Sequence, residues 1–394
     1  MTRRAYGFAV GLAVTFGLVA WVASYRVGQP LRDPDGLAGP SYIRLPLIVI
    51  LFFLADVVPR VLIRNRGFKR FGSSVKEYTK QRWTRSRIAL VLVGLSSFYV
   101  VYVAYRNLKG LLPFVREGLN DTLLERLDRA LLFGHYPATV LHEVLGTGVS
   151  AHVLSFAYTG FLLFVPVSLG AALVWSKNVS TGFWYVTALC INWVLGAASY
   201  YWLPAQGPYF ANRSLFLDLP DTGVTALQDA LRSGRSRVLF DPFGTDGVQS
   251  VAAFASLHVS IIFTAALICH YVIPNRWVRW SMWVYFVLTT VATIYFGWHY
   301  LLDDVAGLAI GWVAVWIGAK TTGHVMRVQR HAAGEDDGII GVFPPETSPA
   351  DDQDTGPRLS GSSARSASWH DGLRAPKRGS ASGRGDTSQD NPSP

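Results

Sequence analysis

Two short segments of the chain place histidines beside long apolar runs. The first is residues 254–258, which end in His258, and the second is residues 297–307, in which Asp303 follows His299 by four positions. Ionisable side chains at a membrane boundary are energetically costly, and for that reason they are candidates for function. Two histidines and one carboxylate are also the groups that a phosphoryl-transfer enzyme needs if it works through a phosphohistidine.

The composition around these segments is typical of a polytopic membrane protein. Of the 394 residues, 50% are hydrophobic and 16% are charged, whereas a soluble domain carries about 25% charged residues. The net charge of +10 is concentrated in loops between apolar segments, so membrane orientation explains it better than nucleic-acid binding, which we do not expect. The two cysteines, Cys190 and Cys269, lie inside apolar segments, which argues against a disulfide framework and a cysteine metal site.

The hydropathy pattern predicts an all-α membrane protein with about eight transmembrane helices. Each apolar segment is long enough to cross a hydrocarbon core of about 30 Å, and helices satisfy backbone hydrogen bonds internally in lipid. Arg3 and Arg4 before the first segment resemble the start of a signal peptide, but we interpret this segment as a retained helix. The predicted spans are 6–24, 45–63, 88–105, 151–175, 183–203, 251–272, 277–297 and 301–319.

The charge of the loops predicts the orientation of these spans. Nine basic residues and the single acid Glu77 lie between positions 64 and 87, which places this loop in the cytoplasm by the positive-inside rule. Alternation of the spans then predicts a multi-pass protein of the cell membrane with both termini in the cytoplasm. It also places loop 204–250 and both histidine segments at the outer face.

Three regions follow from this pattern. Residues 1–87 contain two N-terminal spans and the basic loop, and residues 88–320 contain the other six spans. Residues 321–394 form a tail rich in Ser, Gly, Pro, Asp and Arg, which lacks the apolar residues needed to fold, so we expect it to be disordered. Within the second region, residues 123–132 repeat leucine at helical spacing and predict an amphipathic helix at the outer membrane surface.

The positions of the two histidines agree with one shared pocket. Spans six and seven form a hairpin near Pro274, so at 1.5 Å of rise per residue both histidines return to the outer half of the membrane. His258 should lie about two turns deeper than His299, unless His299 lies on the loop before the last span. If that span begins at His299, Asp303 lies on the same helix face. A carboxylate bonded to one imidazole nitrogen makes the other a better nucleophile, and a second histidine can protonate the leaving oxygen.

These two segments resemble the paired motifs of the type 2 phosphatidic acid phosphatase superfamily. Residues 255–258 (Ala-Ser-Leu-His) are similar to its P-S-x-H motif, and His299, Asp303 and Gly307 match its H-x3-D-x3-G motif. The resemblance covers residues 100–320 and implies a six-helix phosphatase-like core. It also implies that His299 is the nucleophile, that Asp303 orients His299, and that His258 is the general acid.

Within that superfamily, the sequence resembles the inositol phosphorylceramide synthase-like branch more than the phosphatases. The His-Tyr-x-x-Asp form of this branch matches residues 299–303, and its Pro-x-x-Gly-Pro segment is similar to residues 204–208. A site beside the bilayer suits a lipid or polyprenyl phosphate as substrate. The phosphoryl group would pass to water or, as the resemblance slightly favours, to a polyol such as an inositol or sugar hydroxyl. The resemblance implies no metal ion and no organic cofactor.

The phosphate-binding arginines of the superfamily's phosphatases have no counterpart in this sequence. The Lys…Arg-Pro motif is missing at residues 204–208, Ala292 and Thr293 stand where Ser-Arg is usual, and Ala255 replaces a proline. Phosphate binding therefore requires other groups. The candidates are Ser256 with its neighbouring backbone N–H groups, Gly207, and the loop arginines Arg213, Arg235 and Arg237.

Three alternatives remain open from the residues alone. Asp304 could orient His299 in place of Asp303, although its direction on a helix differs by about 100°. A zinc site of His258, His299 and Asp303 is compatible in ligand type, but we expect no metal. The absence of the usual arginines also leaves a non-catalytic transporter, or a scaffold whose basic loop binds anionic lipid, on the same fold.

Overall fold

The computed structural model describes residues 3–33, 41–65, 71–176, 179–244 and 251–326. Within these ranges the secondary structure is helical, with turns and loops between the helices and no β-strand. The predicted all-α class is therefore confirmed. The tail predicted over residues 321–394 lies outside the described residues from position 327 onward.

The helices follow the order that the hydropathy pattern predicts, and a helix is present at each of the eight predicted spans. The α-helices of the described residues are α1 (Arg3–Val27), α2 (Ser41–Asn65), α3 (Phe71–Arg82), α4 (Arg85–Val115), α5 (Asp121–Leu131), α6 (Pro137–Leu145), α7 (Val149–Gly170), α8 (Val179–Trp202), α9 (Pro208–Ala211), α10 (Gly223–Phe240), α11 (Leu257–Val272), α12 (Arg276–Tyr295) and α13 (Leu301–Thr322), with a π-helix at Ala171–Trp175 and a 3₁₀ helix at Arg213–Phe216.

Six of these helices are long and apolar enough to cross a membrane, namely α1, α2, α4, α7, α8 and α13. This number supports the prediction of a multi-pass membrane protein. Helix α11 is apolar but has only 16 residues, so two further spans formed by α11 and α12 stay a prediction. The span predicted over 251–272 begins later, at Leu257, because the N–H groups of Ala253 and Ser256 bond to the carbonyls of Ala205 and Asp303 instead of a helix.

Helix α8 lies at the centre of the bundle. Of its spanning stretch 78% is buried, against 28% for α1 and for α2, and α8 packs on α4, α11 and α13. Its Asn192 amide donates to the Thr264 hydroxyl at 3.0 Å and accepts from the Ser260 hydroxyl. Polar bonds between apolar helices contribute modestly to their association and fix their register. Helix α8 therefore sets the positions of the two helices next to the histidines.

Glycines on α13 allow it to approach α11 closely. A Cβ atom at Gly307 would lie 2.4 Å from the Ser256 carbonyl oxygen, and one at Gly311 would lie 2.7 Å from the Ser260 carbonyl oxygen. Small residues four positions apart are typical of closely packed membrane helices. At this approach the Ser256 N–H donates to the Asp303 carbonyl at 2.9 Å. The glycine of the second motif thus lets the two motif segments touch.

We predict that Gly307→Ala lowers the stability of the folded protein. The added methyl group must push α11 away from α13, and overpacking of this kind costs about 1–3 kcal/mol. The measurement is the thermal unfolding midpoint of the purified protein in detergent. Gly11→Ala on α1 is the control, because nothing lies within 4 Å of a Cβ atom at that position. Equal midpoints for the two variants would contradict the close packing.

Candidate functional site

The structure brings the two predicted histidines together at one end of the bundle. His258 is the second residue of α11, and His299 lies on the loop before α13, which begins at Leu301. The centroids of the two imidazole rings are 6.2 Å apart. Of the two arrangements that the sequence allows, the structure therefore has His299 on the loop.

The loop that carries His299 is folded back on the end of α12. The Thr293 carbonyl accepts the N–H groups of Trp298 at 2.9 Å and of His299 at 3.3 Å. Gly297 makes this reversal with a φ of 66°, a backbone conformation that glycine adopts without steric cost. The turn places His299 beside α13 rather than in line with α12.

Asp303 faces His299 in a geometry different from a shared helix face. Because α13 begins at Leu301, Asp303 lies in the first helical turn and His299 lies outside the helix. The Oδ2 atom of Asp303 accepts the Tyr300 N–H at 3.0 Å and lies 3.4 Å from His299 Nδ1. One carboxylate oxygen therefore both caps the helix N-terminus and faces the imidazole. The alternative residue Asp304 instead accepts from the Thr293 hydroxyl at 2.9 Å.

Burial keeps His299 in its neutral form. Its side chain is 7% exposed, and desolvation lowers the pKa of His299 to about 3, with the charge of Lys109 as the second cause. A hydrogen bond with the backbone of Ala253 opposes this shift. Desolvation disfavours the charged imidazolium, so the ring keeps a free lone pair at neutral pH, as a nucleophile requires.

Aromatic rings of α7 fix the orientation of His258. Tyr158 stacks on the His258 ring with centroids 4.5 Å apart, and Phe161 lies at 4.2 Å. Tyr158 also stacks on Trp298 at 5.2 Å, so one ring links both histidine segments. Offset and tilted ring contacts of this kind are favourable beyond their buried area. No motif indicated these residues; their only signal is a pair of aromatic residues three positions apart on a helix.

Helix α5 contributes two carboxylates that organise the loops around the site. Asp121 accepts the N–H groups of Gln206 at 3.0 Å and Gly207 at 2.9 Å, and it accepts the Tyr300 hydroxyl at 3.1 Å. Asp128 accepts the Leu301 N–H at 3.0 Å and 3.1 Å through its two oxygens. These charge-assisted bonds hold the loops before α9 and α13 against α5.

The predicted helix over 123–132 is present as α5, and its two faces differ in character. Leu123, Leu127 and Leu131 are exposed, whereas Asp121 and Asp128 are buried. The leucine face is thus exposed to lipid or solvent, and the acidic face contacts the loops before α9 and α13.

The residues predicted to bind phosphate lie in three different settings. Ser256 is fully buried and caps α11, where its hydroxyl accepts the Val259 N–H at 3.5 Å. Gly207 has a φ of 98°, and a Cβ atom there would lie 2.4 Å from the Trp298 carbonyl oxygen. Arg213 is half-exposed and pairs with Asp229 at 3.6 Å. Their roles in phosphate binding stay predictions.

The other two candidate arginines lie on α10. Burial lowers the pKa of Arg235, and the charge of Asp121 opposes that shift, so Arg235 interacts with the α5 carboxylate that holds Gly207. Arg237 is exposed. Neither arginine is among the causes of the pKa shift of His299.

His299 is one of the residues that line a cleft. The cleft has a volume of about 370 Å³ including its open mouth, and it is bounded by α5, the start of α6, the 3₁₀ helix and the His299 loop. Among the described residues, no group of three or more His, Cys, Asp or Glu side chains is arranged to hold a metal ion. The zinc alternative therefore has no geometric support in that part of the chain.

Comparison with known families gives one match. Residues 122–317 match the family model described as the PAP2 superfamily, a segment that begins within α5 and includes both histidine motifs. No curated protein and no solved structure matches the chain. The match supports a membrane phosphatase-type fold for this segment, and it does not select a branch of the superfamily.

We predict that Asp128→Asn changes how stability depends on pH. Burial raises the pKa of Asp128 to about 6, compared with about 3.9 for a free aspartate. Between these values the folded protein binds more protons than the unfolded chain, so the contribution of Asp128 to stability falls as pH rises through this window. Asparagine still accepts the Leu301 N–H but does not titrate. The wild type should therefore lose stability relative to D128N as pH rises.

The measurement is the thermal unfolding midpoint of both proteins at several pH values. Asp221→Asn is the control, because this carboxylate is exposed. A difference between wild type and D128N that stays constant with pH would contradict the prediction.

Proposed function

We propose that this chain, whose residues 122–317 match the PAP2 superfamily, is an integral membrane phosphatase or phosphotransferase that acts on a lipid or polyprenyl phosphate. The observation that carries the proposal is the 6.2 Å separation of the His258 and His299 rings, with Asp303 at Nδ1 of His299. A neutral imidazole with a carboxylate at one nitrogen and a second histidine nearby suits nucleophilic phosphoryl transfer.

The reaction proceeds in two steps through a phosphohistidine. First, the His299 nitrogen that does not face Asp303 attacks phosphorus, a P–N bond forms, and the P–O bond to the leaving group breaks. His258 gives its proton to the leaving oxygen. Second, the oxygen of water or of an alcohol attacks the phosphohistidine, the P–N bond breaks, and His258 takes the proton of the attacking oxygen. Water completes hydrolysis, and an alcohol completes transfer.

More specifically, we propose transfer of the phosphoryl group to a polyol hydroxyl, as in the inositol phosphorylceramide synthase-like branch. Among the features that resemble the branch are the His-Tyr-x-x-Asp form at 299–303 and the Pro-x-x-Gly-Pro segment at 204–208. Both bind one carboxylate, because Asp121 accepts the Tyr300 hydroxyl and the Gly207 N–H. This shared contact supports a common purpose for the two features.

The enzyme hypothesis predicts unequal losses from the histidine variants. His299→Ala should reduce activity to background because no phosphoenzyme can form, and His258→Ala should reduce the rate about 10²–10⁴-fold, as expected for loss of a general acid. His270→Ala is the control, since this side chain lies near the far end of α11 beside Trp283. The measurement is release of phosphate and formation of new phosphodiester from a panel of radiolabelled lipid phosphates, with and without polyol acceptors. Equal rates for wild type and H299A would overturn the enzyme hypothesis as stated.

The proposed site lies at the outer face of the cell membrane, with both termini in the cytoplasm. This orientation rests on the charge of the loops. The basic residues 64–87 come before and at the start of α4, whereas α5 follows the other end of that helix. We therefore predict that Ser236→Cys on α10 reacts with a membrane-impermeant thiol reagent in whole cells. Lys80→Cys on α3 should react only after lysis. Both positions are exposed.

The two native cysteines could add background labelling. Cys190 is buried and Cys269 is partly buried. Both are replaced by serine in the labelled proteins. Labelling of the α3 position in whole cells and of the α10 position only after lysis would reverse the proposed topology.

A further inference from the structure

We propose that Lys109 of α4 binds the phosphoryl group during transfer and supplies positive charge that the superfamily's motif arginines would otherwise provide. This inference rests on the proposed function. It concerns a helix outside the segment that matches the PAP2 superfamily, which begins at residue 122.

Two buried tyrosines fix the position of the Lys109 ammonium group. Its Nζ atom lies 4.9 Å from the ring centroid of Tyr200 and 6.0 Å from that of Tyr105. The hydroxyl oxygens of the two tyrosines are 3.2 Å apart. The electron-rich face of an aromatic ring attracts a cation placed over it, so the two rings favour a position of the ammonium group between them.

The turn of α8 that contacts Lys109 also holds the first histidine segment. Ser199, next to Tyr200, accepts the Ala255 N–H at 2.9 Å and donates to the Phe254 carbonyl at 3.2 Å. The Tyr201 hydroxyl donates to the Leu108 carbonyl at 2.7 Å, which fixes α4 against α8 at the same level. Lys109 is therefore positioned relative to the segment that leads into Ser256 and His258.

The charge of Lys109 reaches the proposed nucleophile. After burial, it is the largest cause that lowers the pKa of His299. A nearby cation disfavours the imidazolium and attracts an anionic substrate, and both effects favour attack of a neutral imidazole on a phosphoryl group.

The other candidate arginines, Arg213 and Arg235, are placed less well to bind the phosphoryl group. Arg213 is half-exposed and pairs with Asp229, and Arg235 interacts with Asp121. Lys109, in contrast, acts on His299 itself. The departure from the family motifs is thus compensated from a different helix.

The test compares Lys109→Met with Lys109→Arg and uses inorganic vanadate as the probe, because vanadate imitates the phosphoryl group in transfer. We expect K109M to raise the inhibition constant for vanadate at least tenfold and to raise KM for the lipid phosphate, and we expect K109R to restore part of both. Lys320→Met is the matched control, because that ammonium group lies 3.8 Å from the Trp316 ring centroid near the C-terminal end of α13. K320M should leave both constants unchanged.

Binding without turnover separates this inference from the proposed function. In an H299A background, vanadate should still raise the thermal unfolding midpoint, and the additional change Lys109→Met should remove that effect. If K109M does not fold, Lys109→Gln is used in both measurements. Wild-type vanadate inhibition in K109M or K109Q, with H299A inactive, would overturn the role of Lys109 alone. Activity of H299A equal to wild type would instead overturn the proposed function.

Discussion

The hydrogen bond from the Ser256 N–H to the Asp303 carbonyl, at 2.9 Å, is the contact on which the geometry of the site depends. It joins the start of α11 to the first turn of α13, two segments far apart in sequence. It can form only because the residue that faces Ser256 on α13 is Gly307, where a Cβ atom would lie 2.4 Å from the Ser256 carbonyl oxygen. This approach holds the segment that leads into His258 next to the segment that carries His299, and the two imidazole rings are 6.2 Å apart.

A second constraint is the cost of burying polar groups in a bundle that lipid surrounds. Each carboxylate near the site accepts bonds from a helix N-terminus, a loop N–H or a hydroxyl, as Asp303, Asp121 and Asp128 do. Buried charges that are not compensated in this way are strongly destabilising. The same bonds fix the loops before α9 and α13. The hydrogen bonds that compensate the buried carboxylates therefore also position the site.

The sequence predicted the long helices and the pairing of His299 with Asp303. The positions of the long apolar runs predicted the order of the long helices, and the spacing of His299 and Asp303 predicted that these two side chains face each other. The predicted start of the span at residue 251 was wrong, because the N–H groups of Ala253 and Ser256 bond across the bundle rather than along a helix. Hydropathy does not distinguish an apolar helix from an apolar loop buried against one.

Contacts between distant helices were not predictable from the sequence alone. Tyr158 on α7 and Asp121 on α5 carry no motif, and their roles follow only from stacking on His258 and from bonds to Gly207 and Tyr300. Tyrosine is common at the ends of membrane helices, where it usually packs at the interface, and an aspartate at the start of a helix is a common residue as well. Tertiary packing, rather than local pattern, gives them a place at the site.

The packing of α4 has a consequence for the limits of the structural unit that contains the histidine motifs. Helix α4 precedes the segment that matches the superfamily, yet it packs on the central helix α8 and on α1, and its Leu108 carbonyl accepts the Tyr201 hydroxyl. The matching segment carries both histidine motifs but lacks one wall of its own bundle. Exchange of that segment between relatives would therefore move both histidine motifs without α4, which packs on the central helix, so the structural unit does not end where the sequence similarity ends.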